Sequence, residues 1–275
     1  FLPALALPLT SQPQKAKLPK EDLLKHSDNK ETLSKIIDRA EQAIRTWEPT
    51  TTDFLSPPEL YEAQNAFNRL TDIHTIASGG YPQAERQRLT IARSEIPFDE
   101  TPVPLAAISI AGNFLFDTAT HRDFLGSLLG TGLVRAKVGD IIVLGERGAQ
   151  AIVAPELLEF LTTSLVQVRS VSVKTQPIDI SELKVREPRK KEMTTVEASM
   201  RLAALASAGI GMSRSKMAGM ITSGDVRVNW KPITQSSHTV QPGDLIAIRG
   251  KGRLEIGEMS ITKKQRYRVQ LTRLV

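Results

Sequence analysis

Three residues at the start of one short segment have the types and spacing needed to bind an anion. Ser213 can cap a helix, because its hydroxyl accepts a hydrogen bond from a free N–H group of the first turn. Arg214 and Lys216 follow in that turn, where the helix dipole is already positive and an exposed cation costs about 0.3–1 kcal/mol. A helix start that holds cations as well as free N–H groups is suited to an anion such as phosphate.

A second basic group follows later in the same part of the chain. Arg249, Lys251 and Arg253 alternate with Gly250 and Gly252, where the backbone amides can come close to a phosphate. Either basic group alone is equally consistent with solvated surface charge. Their occurrence within one small segment favours binding to a nucleic acid.

The pattern around these cations predicts two helices followed by strands. The first helix carries leucine and alanine on one face and is expected to end at Gly209, its C-cap. The second helix begins after Ser213 and ends at Gly224. Alternating valines then indicate a half-buried strand at 226–229, and another strand is expected at 245–248.

Residues with this spacing resemble the S4 RNA-binding domain. The positions that carry the likeness are Arg201-Leu202, Gly209, Ser213-Arg214, Gly224, Val226 to Asn229 and Gly243-Asp244. The resemblance implies that Ser213 caps and aims the second helix, while cations of the domain grip an RNA backbone. Those cations are Arg201, Arg214, Lys216, Lys231, Arg249, Lys251 and Arg253.

Two further residues of this segment have both an RNA-binding and a structural interpretation. Asn229 is expected either to contact RNA or only to shape the turn after its strand. Trp230 departs from the S4 pattern, which has glycine after the asparagine. Its ring could stack on a base or lie against its own hairpin, and the sequence leaves both alternatives open.

Charge and composition narrow the classes of function. The 275 residues carry a net charge of +6; half of the 36 Lys and Arg residues lie from Lys184 onward, and the rest of the chain is net acidic. A polyanion-binding module requires such a concentration of positive charge. The absence of cysteine excludes disulfides, thiolate zinc sites and a cysteine nucleophile. No apolar run approaches the roughly 18 residues that span a bilayer. We also expect no metal and no cofactor.

The whole sequence predicts an α+β protein built from five segments. Residues 1–29 are expected to be a disordered tail or the remnant of a transit peptide, followed by an N-terminal helical segment at 30–72. The pattern of 73–175 indicates a central α/β domain with the ferredoxin-like order βαββαβ, which many RNA-binding proteins use. A linker at 176–195 leads to the S4 domain at 196–275, expected as two helices, a small β-sheet and a basic C-terminal strand.

Five motifs before the S4 segment are similar to motifs of the bacterial YlmH family, especially its cyanobacterial and plastid branch, the photosystem II S4 domain proteins. They are Thr52-Asp53-Phe54-Leu55, Ser78-Gly79-Gly80-Tyr81, Ala84-Glu85-Arg86, His121-Arg122-Asp123-Phe124-Leu125-Gly126 and Lys137-Val138-Gly139-Asp140. The resemblance implies N-terminal helices, a central RNA-binding domain and a C-terminal S4 domain. It also implies binding to rRNA and tRNA on the large ribosomal subunit, in the rescue of stalled nascent chains.

The same resemblance suggests RNA contacts in the central domain and a compartment for the protein. The candidate contacts are Arg86, Arg88, His121, Arg122 and Lys137. The expected compartment is the chloroplast stroma, with the cytoplasm of a cyanobacterium as the alternative. We expect a non-enzymatic monomer.

Two alternatives come from other classes of protein. An RNA-modifying enzyme can carry an S4 domain, but a pseudouridine synthase needs an aspartate in an Arg-Leu-Asp context, and Ala203 follows Arg201 and Leu202 here. A methyltransferase needs a glycine-rich loop after a strand, whereas Gly209 and Gly211 lie within the S4 segment. The other alternative is an assembly or repair factor of photosystem II whose central domain binds protein and which uses RNA as an anchor.

Overall fold

The computed structural model describes residues 17–25, 27–186 and 189–274. The chain divides into two compact units, Phe1–Lys184 and Val185–Val275. Both units combine helices with antiparallel sheets, which confirms the α+β class. In the part of the chain that the structure describes, no helix has the length and apolar character needed to cross a bilayer.

The first unit begins with three helices and a three-stranded sheet. In chain order these elements are α1 (Lys20–Leu24), α2 (Lys30–Thr46), β1 (Thr50–Thr51), α3 (Pro57–Phe67), β2 (Ile73–Ser78) and β3 (Arg88–Arg93). The strand order is β1-β3-β2, with antiparallel neighbours. Leu89 and Ile91 of β3 are fully buried and share one core with Ile37 and Ala40 of α2.

Two predicted boundaries of this region are wrong. Strands β2 and β3 were expected in the central domain that starts at residue 73, but they complete the N-terminal core because β3 packs on α2. The predicted disordered tail contains helix α1, and Leu23 and Leu24 pack against the same core. The Nζ of Lys20 also lies 2.5 Å from a carboxylate oxygen of Asp38. Residues 1–16 and 26 lie outside the described residues.

The central part of the first unit has the expected ferredoxin-like order. Its elements are β4 (Ala106–Ala111), α4 (His121–Gly130), β5 (Val138–Val143), β6 (Gly148–Val153), α5 (Leu158–Ser164), β7 (Gln167–Val168), β8 (Val171–Ser172) and β9 (Lys174–Ile178). The four-stranded sheet has the order β5-β6-β4-β9, with antiparallel neighbours. Phe124 and Leu128 of α4 and Leu161 of α5 are fully buried in the core that includes β4 residues Ile108 and Ile110.

The predicted linker at 176–195 is wrong at both ends. The central domain was predicted to end at residue 175, but its last strand, β9, continues to Ile178 and pairs with β4. Gln150 then fixes the following residues of the first unit, donating to the carbonyl of Glu182 at 3.0 Å and accepting from the N–H of Lys184 at 2.7 Å. The C-terminal end of the supposed linker is a strand of the second unit.

The second unit packs two helices on a six-stranded antiparallel sheet, larger than the small sheet expected. Its elements are β10 (Lys190–Glu197), α6 (Leu202–Ile210), α7 (Arg214–Thr222), β11 (Val226–Val228), β12 (Lys231–Pro232), β13 (Leu245–Ile248), β14 (Gly252–Ile261) and β15 (Tyr267–Leu274). The order is β10-β15-β14-β13-β11-β12. Its core is apolar and includes Leu202, Leu205, Met217, Ile246 and Leu254.

Helix α6 ends two residues later than the glycine pattern predicted. Gly209 lies inside the helix, where a Cβ would sit 2.4 Å from a side-chain carbon of Leu254, so glycine is required for close packing. Gly211 is the C-cap, with a left-handed φ of 74°. The prediction that Gly209 ends the helix is therefore wrong.

Candidate nucleic-acid interface

The start of helix α7 has the capped geometry that the sequence predicted. The hydroxyl of Ser213 accepts a hydrogen bond from the backbone N–H of Lys216 at 3.4 Å. The Lys216 side chain is exposed, and among the described residues it forms no ion pair. Ser213 thus serves the helix, and Lys216 is a cation available to an external anion.

Arg214 differs from Lys216 because it has a partner within the unit. Its guanidinium lies 2.5 Å from the carboxylate of Glu197 on β10. Glu197 also accepts a hydrogen bond from the Thr195 hydroxyl at 3.1 Å. The expectation that Arg214 is a free RNA-binding cation therefore needs correction, since it also neutralises a mostly buried acid.

The glycine turn after β13 presents its cations outward. Gly250 and Gly252 have φ values of 69° and 97°, and the conformation suits residues without a side chain. Arg249 is exposed, and its guanidinium lies 3.4 Å from Asp225, which follows α7. Lys251 is exposed at the tip. The turn is therefore tethered to the end of α7 while two of its cations face solvent.

Both polar atoms of the Asn229 side-chain amide form hydrogen bonds within the unit. Its side-chain nitrogen donates to Asp244 at 2.7 Å, and its side-chain oxygen accepts from the N–H of Leu245 at 2.9 Å. Asn229 itself has a left-handed φ of 48°. Of the two sequence interpretations, the structure supports turn formation.

Trp230 lies against its own domain. Its φ is 68°, and the guanidinium carbon of Arg253 lies 5.2 Å from the ring centroid. This arrangement is typical of a cation–π contact, and it supports the hairpin alternative over base stacking. The tryptophan and Arg253 thus form one partly buried pair at the edge of the glycine turn.

Two remaining candidates and one cation missed in the sequence are exposed on this unit. Arg201 precedes α6, pairs with Thr239 in an isolated bridge and is exposed, as is Lys231 on β12. Arg227 of β11 is also exposed and aligns through Ala247 with Arg253 in one row across the sheet. The alternation of Arg227 with two buried valines was the signal that could have identified it.

Three of the five central candidates have partners within the first unit, so they are not free cations as the RNA-contact prediction assumed. Arg86 donates to the carbonyls of Phe54 at 2.7 Å and Val138 at 3.2 Å. Arg88 is 6% exposed and donates to the carbonyls of Thr52 at 2.8 Å and Pro104 at 2.7 Å. Burial lowers the pKa of both guanidinium groups, which the backbone oxygens hold in place.

Lys137 is the third inward cation. Its Nζ lies 2.8 Å from Asp53 and 2.7 Å from Glu156. Hydrogen bonds with Asp53 and Glu156 raise the pKa of Lys137. Two carboxylates thus neutralise this lysine, and it holds elements of the first unit together.

His121 and Arg122 are the central candidates that remain exposed. They occupy the first turn of α4, where Thr120 and Asp123 form a capping box. Phe116, in the loop before this helix, is 92% exposed and was missed in the sequence analysis. Phe116 follows Phe114 and Leu115 in the sequence, and the local pattern does not show which of the three is exposed, because exposure depends on the tertiary fold.

The chemistry of the described residues is that of anion contact. The described part of the chain holds no group of three or more His, Asp or Glu side chains that could ligate a metal ion. On the second unit, one group of exposed cations lies at the start of α7, in the glycine turn and on the strands beside them. Such a surface suits the phosphates of a nucleic acid.

Comparisons with known proteins show which proteins this chain resembles. Three family models match the chain: "YlmH, N-terminal" over residues 28–96, "Putative RNA-binding domain in YlmH" over 100–182 and "S4 domain" over 200–246. The ribosome-associated protein quality control protein P2 of Bacillus subtilis (strain 168) is 34% identical over 223 residues, covering 81% of this chain and 86% of that protein. The solved cell division protein ylmH from Streptococcus pneumoniae has a TM-score of 0.49 and 19% identity, covering 58% of this chain and 95% of that one.

Proposed function

The chain belongs to the YlmH family, and from this membership we propose that it is a non-enzymatic RNA-binding protein of ribosome-associated quality control. The proposed targets are structured rRNA and tRNA on the large ribosomal subunit. Support comes from the Bacillus subtilis relative, which is named as a ribosome-associated protein of protein quality control.

The observation that carries the proposal is a set of exposed cations on one small unit. They surround the Ser213-capped helix and the glycine turn, and they are Arg201, Lys216, Arg227, Lys231, Arg249 and Lys251. Contacts with phosphates position a protein on RNA without reading its sequence. The shape of a structured RNA would therefore select the target.

Crosslinking in the native compartment, followed by sequencing of the bound RNA, tests the target. We expect large-subunit rRNA and tRNA to be recovered together. Recovery of scattered messenger RNA instead would contradict the ribosomal part of the proposal. Sedimentation with isolated large subunits provides an independent measurement of the same association.

The non-enzymatic part of the proposal has its own experiment. The protein is incubated with rRNA or tRNA and a methyl donor, and the nucleosides are separated by chromatography with mass detection. We expect an unchanged nucleoside composition, because Ala203 stands where a pseudouridine synthase needs an aspartate, and Gly209 and Gly211 lie within the S4 segment instead of in a cofactor loop after a strand. A new methylated nucleoside or pseudouridine would overturn it.

We propose the chloroplast stroma as the compartment, with the cyanobacterial cytoplasm as the alternative. The support is the likeness of the five motifs between Thr52 and Asp140 to the family, especially to its cyanobacterial and plastid branch. Fractionation of isolated chloroplasts with an antibody to the protein tests this location, and signal outside plastids would contradict it. A direct role with photosystem II would require co-purification with its subunits after RNase treatment.

A further inference from the structure

The second unit ends in a long hairpin with a well-defined tip. Strands β14 and β15 pair as far as Ile261 and Tyr267. Thr262 and Arg266 close the loop, with Thr262 N–H donating to the Arg266 carbonyl at 2.8 Å and Arg266 N–H donating to the Thr262 hydroxyl at 3.1 Å. Gln265 adopts a left-handed φ of 53°, and its N–H donates to the Thr262 carbonyl at 2.9 Å. The loop between the strands is therefore fixed by hydrogen bonds.

Four cations cluster at this tip. Lys263, Lys264 and Arg266 are exposed in the loop, and Arg268 is exposed on β15 just beyond it. Within residues 189–274, none of the four forms an ion pair. Side chains of like charge repel one another, and an external anion would relieve that repulsion.

The cations line a concave surface. An open cavity of about 810 Å³ is bounded by the four cations, the hydroxyls of Ser260 and Thr262, and the apolar side chains of Val196 and Ile261. Arg268 of β15 is paired with Val196 of β10 on one side and with Ser260 of β14 on the other. These three residues form one row across the sheet at the bottom of the cavity. Ile261 is 67% exposed and Val196 43% exposed. Cations, hydroxyls and apolar surface thus face the same space.

Nearby acids do not neutralise this cluster. Glu197 of β10 is only 9% exposed and lies beside the start of α7. There it pairs with Arg214 at 2.5 Å. Glu258 lies at the irregularity between Ile256 and Met259, and within the described residues it has no ion pair. The tip keeps its positive charge.

We propose that this hairpin cavity is a second RNA site, which holds the phosphate backbone of the bound RNA. The inference rests on the proposed RNA-binding function and adds a contact outside residues 200–246, which the S4 model matches. Four cations with two hydroxyls suit phosphate oxygens, and the exposed Ile261 and Val196 suit the faces of sugars and bases. The surface is concave, whereas an anionic membrane is flat. The hairpin also belongs to the same sheet as β13, in the unit that carries the S4 helices, so an RNA bound there could reach the tip.

The test compares two variants of the full chain that lose the same charge. Lys263→Ala/Lys264→Ala/Arg266→Ala removes three cations from the tip. The control, Lys17→Ala/Lys25→Ala/Lys30→Ala, removes three exposed cations near the first helices. Binding to naked large-subunit rRNA is measured from about 50 to 200 mM salt, together with binding to phosphatidylglycerol vesicles. Thermal melting checks that both variants fold, and Arg268→Gln provides a milder tip variant on a paired strand.

We expect the tip variant to bind rRNA roughly tenfold or more weakly near 0.1 M salt. Its slope of log K against log salt should be shallower by about 2–3, because each lost phosphate contact removes about 0.7–0.9. The control should change both values much less. Equal losses in the two variants, or a tip variant that loses only vesicle binding, would overturn the proposal. If the tip variant loses rRNA affinity but the wild-type protein never associates with large subunits, the ribosomal function fails while the hairpin site stands.

Discussion

The guanidinium of Arg214 and the carboxylate of Glu197, 2.5 Å apart, tie the start of helix α7 to the edge strand β10. The Glu197 side chain is 11% exposed, whereas that of Arg214 is 69% exposed. One end of the pair therefore belongs to the fold and the other to the surface. Arg214, which the sequence predicted to be free for an anion, therefore also stabilises the fold through its ion pair with Glu197.

Arg214→Ala should destabilise the protein, because the mostly buried Glu197 loses its charged partner. We expect a cost of about 1–3 kcal/mol to the second unit. Lys216→Ala should change stability by less than about 0.5 kcal/mol, since the side chain is exposed and outside any described ion pair. Thermal unfolding followed by calorimetry measures both effects. Combining Arg214→Ala with Glu197→Gln should recover part of the lost stability. Equal melting temperatures for Arg214→Ala and Lys216→Ala would contradict a stabilising role of Arg214.

Arg88→Ala should destabilise the first unit without acting on RNA directly. The substitution deletes charged hydrogen bonds to the carbonyls of Thr52 and Pro104 at a buried position, which should cost about 3 kcal/mol. Arg122→Ala is the matched control, because this arginine is exposed on α4. Denaturant unfolding and RNA titration well below the melting temperature separate the roles. Arg88→Ala should keep its RNA affinity while Arg122→Ala loses some, and the reverse outcome would contradict the assignment.

The ion pair of Lys137 with Glu156 predicts an acid-dependent stability. The hydrogen bond from Lys137 is the main cause that lowers the pKa of Glu156. A lowered pKa in the folded state gives stabilisation that is complete above the ordinary value of about 4.3 and is lost as the pH falls through the lowered value. The raised pKa of Lys137 has the opposite sign, so its contribution is lost only as the pH rises above about 10.4 and through the raised value.

Glu156→Gln isolates this contribution. At pH 7 we expect the variant to be about 0.2–1 kcal/mol less stable than the wild type, as is usual for a partly exposed pair. The gap should narrow once the pH falls below the ordinary carboxyl pKa of about 4.3 and close as the pH falls through the lowered pKa of Glu156. Melting temperatures across that range provide the measurement, with the exposed Glu159→Gln as control. A gap that does not vary with pH would show that the pair has no linkage to stability.

Features that depend on local sequence were predictable. The hydroxyl of Ser213 lies one residue before a helix and next to the N–H groups that it caps, so its role follows from spacing. The ferredoxin-like order follows from alternating elements of the right lengths. These patterns need no knowledge of which distant segments meet.

Whether a cationic side chain faces solvent or the interior depends on segments that are distant in the chain, and this could not be predicted from the sequence. The residues that accept hydrogen bonds from Arg88 are far away in the chain, at Thr52 and Pro104. Strand β10 likewise pairs with β15, so its basic sequence looked like a linker until the C-terminal partner was known. Composition shows how many cations a segment has but not which of them find carbonyls or carboxylates inside the fold.

Phe116 provides the last prediction because its exposure is held by an ordered loop. The preceding Phe114 is fully buried and donates its N–H to the carbonyl of Glu146 at 3.0 Å. The following Asp117 lies 2.7 Å from the guanidinium of Arg169. The phenyl ring between these two anchors is 92% exposed, so it is available to stack on an unpaired base.

Phe116→Ala should therefore weaken binding to large ribosomal subunits by roughly 1–3 kcal/mol, the usual contribution of one stacked base, and leave the melting temperature unchanged. Phe116→Trp should keep the affinity, since an indole ring also stacks. Phe116→Leu distinguishes stacking from a simple apolar contact with a ribosomal protein, because leucine retains the apolar surface but not the aromatic face. Titration of the three variants against isolated subunits gives the comparison. Full affinity in Phe116→Leu would assign the ring to a protein contact, and full affinity in Phe116→Ala would remove it from the interface.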